Sequence, residues 1–306
     1  MSDTRDKIKY VFAVLFIVLY TAYLLAFGGA AKEAARAGLN VCFEVIFTTV
    51  FPFSVAAQML ISSGICAFLG KTIARPLGRL FNLSDGGAGI FLLGLVGGYP
   101  TGAAGAAELY SKGEISKSEA EAVISYTNNA TPAFMITYIG GLCGSSRIGA
   151  ACYAVNIGAA VIWAVLMRRK TKPDRCKISV TPDFSFGKSV LSCGGSALNI
   201  CFFIIIYSVV SSALSLLPLP VVPSVLPAFF ELTSGASILS DAGFDGRITS
   251  ALLCAASSFS GLCVGSQVIS VSKRAGIGVR YYFFGKIFQT FLSFISFFII
   301  YPHITS

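Results

Sequence analysis

The chain has 306 residues, 55% hydrophobic and 12% charged, about half the charged share of an average soluble protein. Its formal net charge is +9, but the cations sit in short stretches between long apolar runs. That distribution suits a protein oriented in a lipid bilayer and touching anionic headgroups, and no nucleic-acid role is expected.

Uncharged runs cover 10–31, 45–70, 86–107, 122–146, 148–167, 189–230, 248–272 and 287–306, each reaching the roughly 20 residues a spanning helix needs. The first is too long for the apolar core of a signal peptide and is expected to stay as a helix. Lys71, Arg75 and Arg79 follow the second run at four-residue spacing and share one helix face. The third run, GIFLLGLV, is cut by Gly97, Gly98, Tyr99 and Pro100 and resumes as a helix of very small residues. Proline suits a first helical turn and glycine tolerates unusual backbone angles, so a helix is expected to break and restart here. Irregular backbone inside a bilayer is tolerated only against protein or a water-filled cavity, which makes the break a candidate site.

The loop from Glu108 to Glu121 carries four Glu against two Lys and is expected on the side opposite the basic clusters. Run 122–146 is interrupted by Asn128, Asn129, Thr131 and Pro132 and is expected to be re-entrant, since otherwise the crossings would put the cluster Arg168, Arg169, Lys170, Lys172, Arg175 and Lys177 outside. Four prolines in run 189–230 point to one span followed by a re-entrant segment. Glu231 then stands after 42 uncharged residues. The run from Ile248 is interrupted by Ser257, Ser258, Ser260 and Gly261, and Lys273, Arg274 and Arg280 form the last basic cluster.

An internal repeat is expected. Leu39-Asn40-Val41-Cys42-Phe43 recurs as Leu198-Asn199-Ile200-Cys201-Phe202, an offset of 198 − 39 = 159, which carries Gly102 onto Gly261. Both halves would then hold a broken helix, and the acidic loop of one set against the basic loop of the other argues for inverted topology. The expected class is an all-α polytopic membrane protein built from two inverted repeats with broken helices and re-entrant hairpins. Its divisions are an N-terminal tail and first helix (1–36), a first repeat (37–170), a basic cytoplasmic loop (171–188) and a second repeat (189–306).

Gly98-Tyr99-Pro100-Thr101-Gly102-Ala103, the Lys-Gly-Glu-Ile-Ser-Lys-Ser-Glu-Ala stretch at 112–120, the Tyr-Thr-Asn-Asn-Ala-Thr-Pro-Ala-Phe-Met stretch at 126–135 and Phe230-Glu231-Leu232-Thr233-Ser234-Gly235 together resemble the sporulation integral membrane protein YlbJ family, also called SpoVV. The resemblance runs from about Leu39 to Phe298. It implies the nucleoside-recognition or Gate-domain group, distantly like concentrative nucleoside transporters. It further implies a transporter of dipicolinic acid in the outer forespore membrane during endospore formation.

The candidate substrate-binding residues are Gly98, Tyr99, Pro100, Thr101, Gly102, Asn128, Asn129, Thr131, Glu231, Thr233, Ser234, Ser258, Ser260, Gly261 and Gln267. Each has a structural alternative. Small residues at Gly98 and Gly102 let helices pack closely, Asn128, Asn129 and Thr131 could satisfy backbone freed by Pro132, and serines in membrane helices bond back to their own helix. Glu231 is either a functional intramembrane acid or the cap of a half-helix. Restarted helices present unpaired N–H groups and about half a positive charge, so two such ends favour a small anionic substrate. A nucleoside-type or other small-solute permease, a channel and a structural sporulation protein are the alternatives. Nine cysteines without a CxxC pair and the single His303 provide neither a metal site nor a nucleophile–base pair, so no enzyme, metal or cofactor is expected. The lipid bilayer is the expected partner, and a homo-oligomer is compatible with the sequence.

Overall fold

The computed structural model describes residues 2–168, 170–171, 185–217 and 222–305, and among them every regular element is helical. Arg169, Lys172, Arg175, Lys177, Pro218 and Pro220 lie outside the described residues, as does most of the basic loop 171–188. Helix α1 (Ser2–Ala26) bends by 104° into α2 (Gly28–Val41), which runs through a π-helical stretch (Cys42–Val50) into α3 (Phe51–Ser62). Further bends of 79° and 109° set off α4 (Ile65–Lys71) and lead α5 (Arg75–Phe81) into α6 (Asp85–Gly97). There follow α7 (Thr101–Ser111), α8 (Lys117–Thr127), a π-helical turn (Phe134–Ile139), α9 (Gly140–Leu142) and α10 (Ser146–Met167). The second half comprises α11 (Phe186–Leu214), α12 (Val222–Phe230), α13 (Leu232–Ser240), α14 (Gly246–Phe259), α15 (Gly261–Arg274) and α16 (Arg280–Thr305).

α10, α11, the α14–α15 pair and α16 are each long and apolar enough to cross a bilayer, and the three bent pairs could add up to three more spans. The outward apolar surface of α1, from Tyr10 through Leu19, has the character of a lipid-facing helix. The chain is a multi-pass membrane protein.

Two helical hairpins, α6–α7 and α12–α13, organise the interior. A Cβ placed on Gly86 would lie 3.1 Å from Leu109 Cδ1, and one on Gly105 would lie 3.6 Å from Ile90 Cγ1, so α6 and α7 fold back antiparallel with their tip at Gly98–Pro100. In the other hairpin Gly235 leaves its backbone directly on that of Pro227 and Ala228, with the tip at Glu231. At Gly235 a side chain would meet backbone of the opposite arm, which cannot yield, whereas at Gly86 and Gly105 it would crowd the Leu109 and Ile90 side chains. Each hairpin sits in its own apolar cluster, one with the Phe81, Phe91 and Tyr126 rings, the other with Leu239, Leu253 and Phe297. Tyr99 touches both clusters.

Two expectations are corrected by this geometry. In the first half it is α6 and α7, at 85–111, that fold back on one another as a hairpin. Run 122–146 instead continues from α8 through the π-helical turn into α9 as an interrupted helix. Both parts of the interrupted run lie along α10, Ser125 of α8 accepting from Trp163 Nε1 at 2.9 Å and the Met135 backbone packing on Gly149, so the run does not fold back on itself. The offset of 159 equates Gly102 with Gly261, yet Gly102 follows a hairpin tip while Gly261 follows a bend inside the α14–α15 span. The two similar pentapeptides meet, with the Cys42 thiol directed at the Cys201 carbonyl oxygen at 3.8 Å.

The acidic loop is also displaced from its expected side. Glu121 Oε1 accepts from the Gly278 N–H at 3.1 Å, Ser84 N–H donates to Glu119 Oε1 at 2.7 Å, and Asn82 Nδ2 donates to the Thr171 carbonyl at 2.9 Å. The acidic loop, the end of α10 and the Lys273–Arg280 loop are therefore gathered at one end of α16. At the other end Gly246, the start of α14, packs on Tyr301. Hairpin α6–α7 thus enters from the Arg280 end of α16 and α12–α13 from the Tyr301 end.

Candidate functional site

The tip of the first hairpin is built from residues that free the backbone and residues that satisfy it again. Gly98 has φ +69°, in the region that favours glycine, and Tyr99–Pro100 is a cis peptide. Thr101 donates its hydroxyl to the Gly97 carbonyl at 3.2 Å. The N–H of Ala103, one of the donors left over at the start of α7, goes to Asn128 Oδ1 at 3.0 Å. The Asn128 amide nitrogen in turn donates to the Ile124 carbonyl at 2.8 Å, and that of Asn129 to the Tyr126 carbonyl at 2.8 Å. Thr131 Oγ1 accepts from Phe134 N–H at 3.1 Å and caps the helical segment after Pro132. A Cβ on Gly102 would lie 2.8 Å from the Thr127 carbonyl oxygen, so this glycine sets the approach of α7 to α8.

At the second tip Glu231 caps α13. Its carboxylate accepts from Thr233 N–H at 2.9 Å, Ser234 N–H at 2.7 Å and Ser234 Oγ at 2.6 Å. Tyr138 donates its hydroxyl to the Thr233 carbonyl at 2.6 Å, tying this tip to the π-helical turn of the first half. A carboxylate is the appropriate cap here because it neutralises the positive helix end in a place with little water.

The α14–α15 span turns at Ser260 and Gly261, whose φ values are +72° and +73°. A Cβ on Gly261 would stand 3.2 Å from the Phe230 carbonyl oxygen, so the bend presses on the Glu231 tip. Ser258 Oγ donates to Asn156 Oδ1 at 2.5 Å and meets Ser293 Oγ at 2.6 Å, while Gln267 Nε2 contacts Cys263 Sγ at 3.5 Å.

The N-terminal ends of α7, α13 and α15 therefore converge, and cavities adjoin them. One of about 50 Å³ lies among Tyr99, Glu231, Thr233, Cys263 and Gln267. A second of about 330 Å³ runs between the start of α7, α11 and α15, where Ser192, Ser196, Asn199, Gln267, Ser270 and Arg274 present hydrogen-bonding groups. A third of about 70 Å³ adds Ser54 and Gln58 from α3. Ile200 borders all three. Ser192, Ser196 and Asn199 reach the cavity together because residues four and three apart lie on one helix face.

The structure brings Tyr99, Pro100, Thr101, Glu231, Thr233 and Gln267 to cavity walls. Asn128, Asn129, Thr131, Ser234, Ser258 and Ser260 are instead bonded inside the protein. Gly98, Gly102 and Gly261 act through backbone shape and close packing. Sequence reasoning missed the polar face of α11 and treated Arg274 only as part of a basic cluster. It also missed Lys286, which begins no obvious motif and sits beside a 20-residue uncharged run. The signal available was Lys286, Gln289 and Ser293 at spacings of three and four, a polar stripe on an apolar helix. All three are buried.

No family model matches the chain, and no solved structure matches it. It is similar to the sporulation integral membrane protein YlbJ of Bacillus subtilis (strain 168), with 25% identity over 329 aligned positions covering 93% of this chain and 81% of the relative. This similarity along nearly the whole chain, together with the apolar helices, supports membership of the sporulation integral membrane protein YlbJ family.

Proposed function

We propose that the chain is a carrier of a small organic anion, dipicolinic acid, across the outer forespore membrane during endospore formation. The observation that carries this reading is the cavity of about 330 Å³ beside the first hairpin tip, which offers serine, asparagine and glutamine groups and the Arg274 cation but no carboxylate on its lining. The start of α7, at Pro100 and Ala104 on the same lining, adds the partial positive charge of a helix N-terminus. A dicarboxylate gains from both, whereas a cation would lose.

Alternating access then works on two units related by inversion, each a re-entrant hairpin followed by a bent span, in the manner of the nucleoside-recognition group. Hairpins that enter from opposite ends of α16 support this pairing, as do spans α8–α9 and α14–α15 that start from opposite ends of it.

Uptake of labelled dipicolinate by the reconstituted full chain is the test. Saturable uptake, competed by other aromatic dicarboxylates and untouched by nucleosides, is expected. Arg274→Gln is expected to raise KM about threefold to fivefold, the order set by an exposed charge worth up to about 1 kcal/mol. Flux that stays linear with concentration, or competition by nucleosides alone, overturns the reading.

A further inference from the structure

Lys286 is only 1% exposed, a full turn inside α16. Its ammonium has three protons, and three oxygens receive them: the Asn128 carbonyl, the Ser258 carbonyl at 3.1 Å and Asn129 Oδ1 at 3.4 Å. Among the described residues no carboxylate pairs with it.

The origin of these oxygens matters. Asn128 is the C-cap of α8, and Ser258 lies in the last turn of α14. Each carbonyl belongs to a helix end that carries partial negative charge and lacks an intrahelical partner. Two interrupted spans thus point their C-terminal ends at one spot. Unwound carbonyls, half-helix C-termini and an amide oxygen are the donor set that membrane carriers use to hold a desolvated monovalent metal cation. Here a lysine nitrogen fills that spot. The Ser260 hydroxyl donates to the same Asn128 carbonyl at 3.5 Å.

We propose that Lys286 is a tethered cation: it occupies the coupling-cation position between the α8 and α14 breaks, so the protein binds no Na⁺ or K⁺ there, and removing the side chain opens a site for a monovalent metal cation. The word coupling rests on the carrier reading above, whereas the cation cage does not.

Thermal unfolding of the purified full chain in detergent, at constant ionic strength with NaCl, KCl or choline chloride, separates the two. The wild-type melting temperature is expected to be the same in all three salts. Lys286→Ala, and Lys286→Gln as a milder version, are expected to melt lower in choline and to regain about 2 °C in Na⁺ or K⁺, as a weakly bound ligand at tenfold its dissociation constant would produce. A specific rise of the wild-type melting temperature in Na⁺ or K⁺ overturns the proposal even where the variants do not fold. Folded variants indifferent to the cation overturn it as well. Absence of dipicolinate uptake with these melting shifts present would count against the transport reading and leave the cage in place.

Discussion

Both ends of the Asn128 amide are committed, its oxygen to the start of α7 and its nitrogen to the end of α8. With its oxygen and its nitrogen each engaged and the side chain fully buried, it holds two elements together away from the cavity walls. Asn128→Ala is therefore expected to cost about 1–3 kcal/mol through unpaired buried groups, read as a lower melting temperature, while the folded fraction keeps its KM for dipicolinate within about twofold. A large rise in KM at unchanged stability would return Asn128 to the substrate site. That this residue matters was legible in the sequence, because an amide in an apolar run must be satisfied. Its partner was not, since Ala103 lies 25 residues away and only the folding of α7 against α8 brings the two together.

At the scale of elements, an apolar run of 22 residues fits one broken span as well as one hairpin, since length alone does not distinguish them. What separates them is the distribution of glycine. Gly86 and Gly105 face the opposite arm, while Gly94 and Gly102 face Thr127. Gly102→Ala forces a Cβ to 2.7 Å from Thr127 Cβ and is expected to destabilise by about 1–3 kcal/mol. Gly158→Ala, in α10 with nothing within 4 Å of the added carbon, is the control and is expected not to destabilise. Equal melting temperatures for the two variants would refute the close α7–α8 packing.

Over the whole molecule, the Lys273–Arg280 loop, the end of α10 and the acidic loop share one end of the bundle. Net charge in a loop is a weak guide because orientation follows Lys and Arg, with Asp and Glu contributing little. The Glu108–Glu121 loop is held in place by specific bonds to Ser84 and Gly278. Glu108 also has Gln58 and Lys112 at 2.7 Å. Cysteines introduced as Ser111→Cys and Lys273→Cys are expected to react with a membrane-impermeant maleimide from the same side, and Asp241→Cys from the other. Labelling of the first two from opposite sides would refute this arrangement.

The sequence by itself determined the helical, membrane-spanning character of the chain, the positions where helices must break and the small residues at those breaks. These are local consequences of chain chemistry in a bilayer: apolar length, proline and glycine geometry, and the need of every backbone group for a partner. Only the tertiary structure decided which break is a hairpin tip and which is a bend in a span, which polar groups reach a cavity, and that Lys286 sits between two helix ends. Those outcomes depend on oxygens from Asn128, Asn129 and Ser258 meeting a nitrogen far away in the chain, and pairing over that distance is set by packing, which no local pattern encodes.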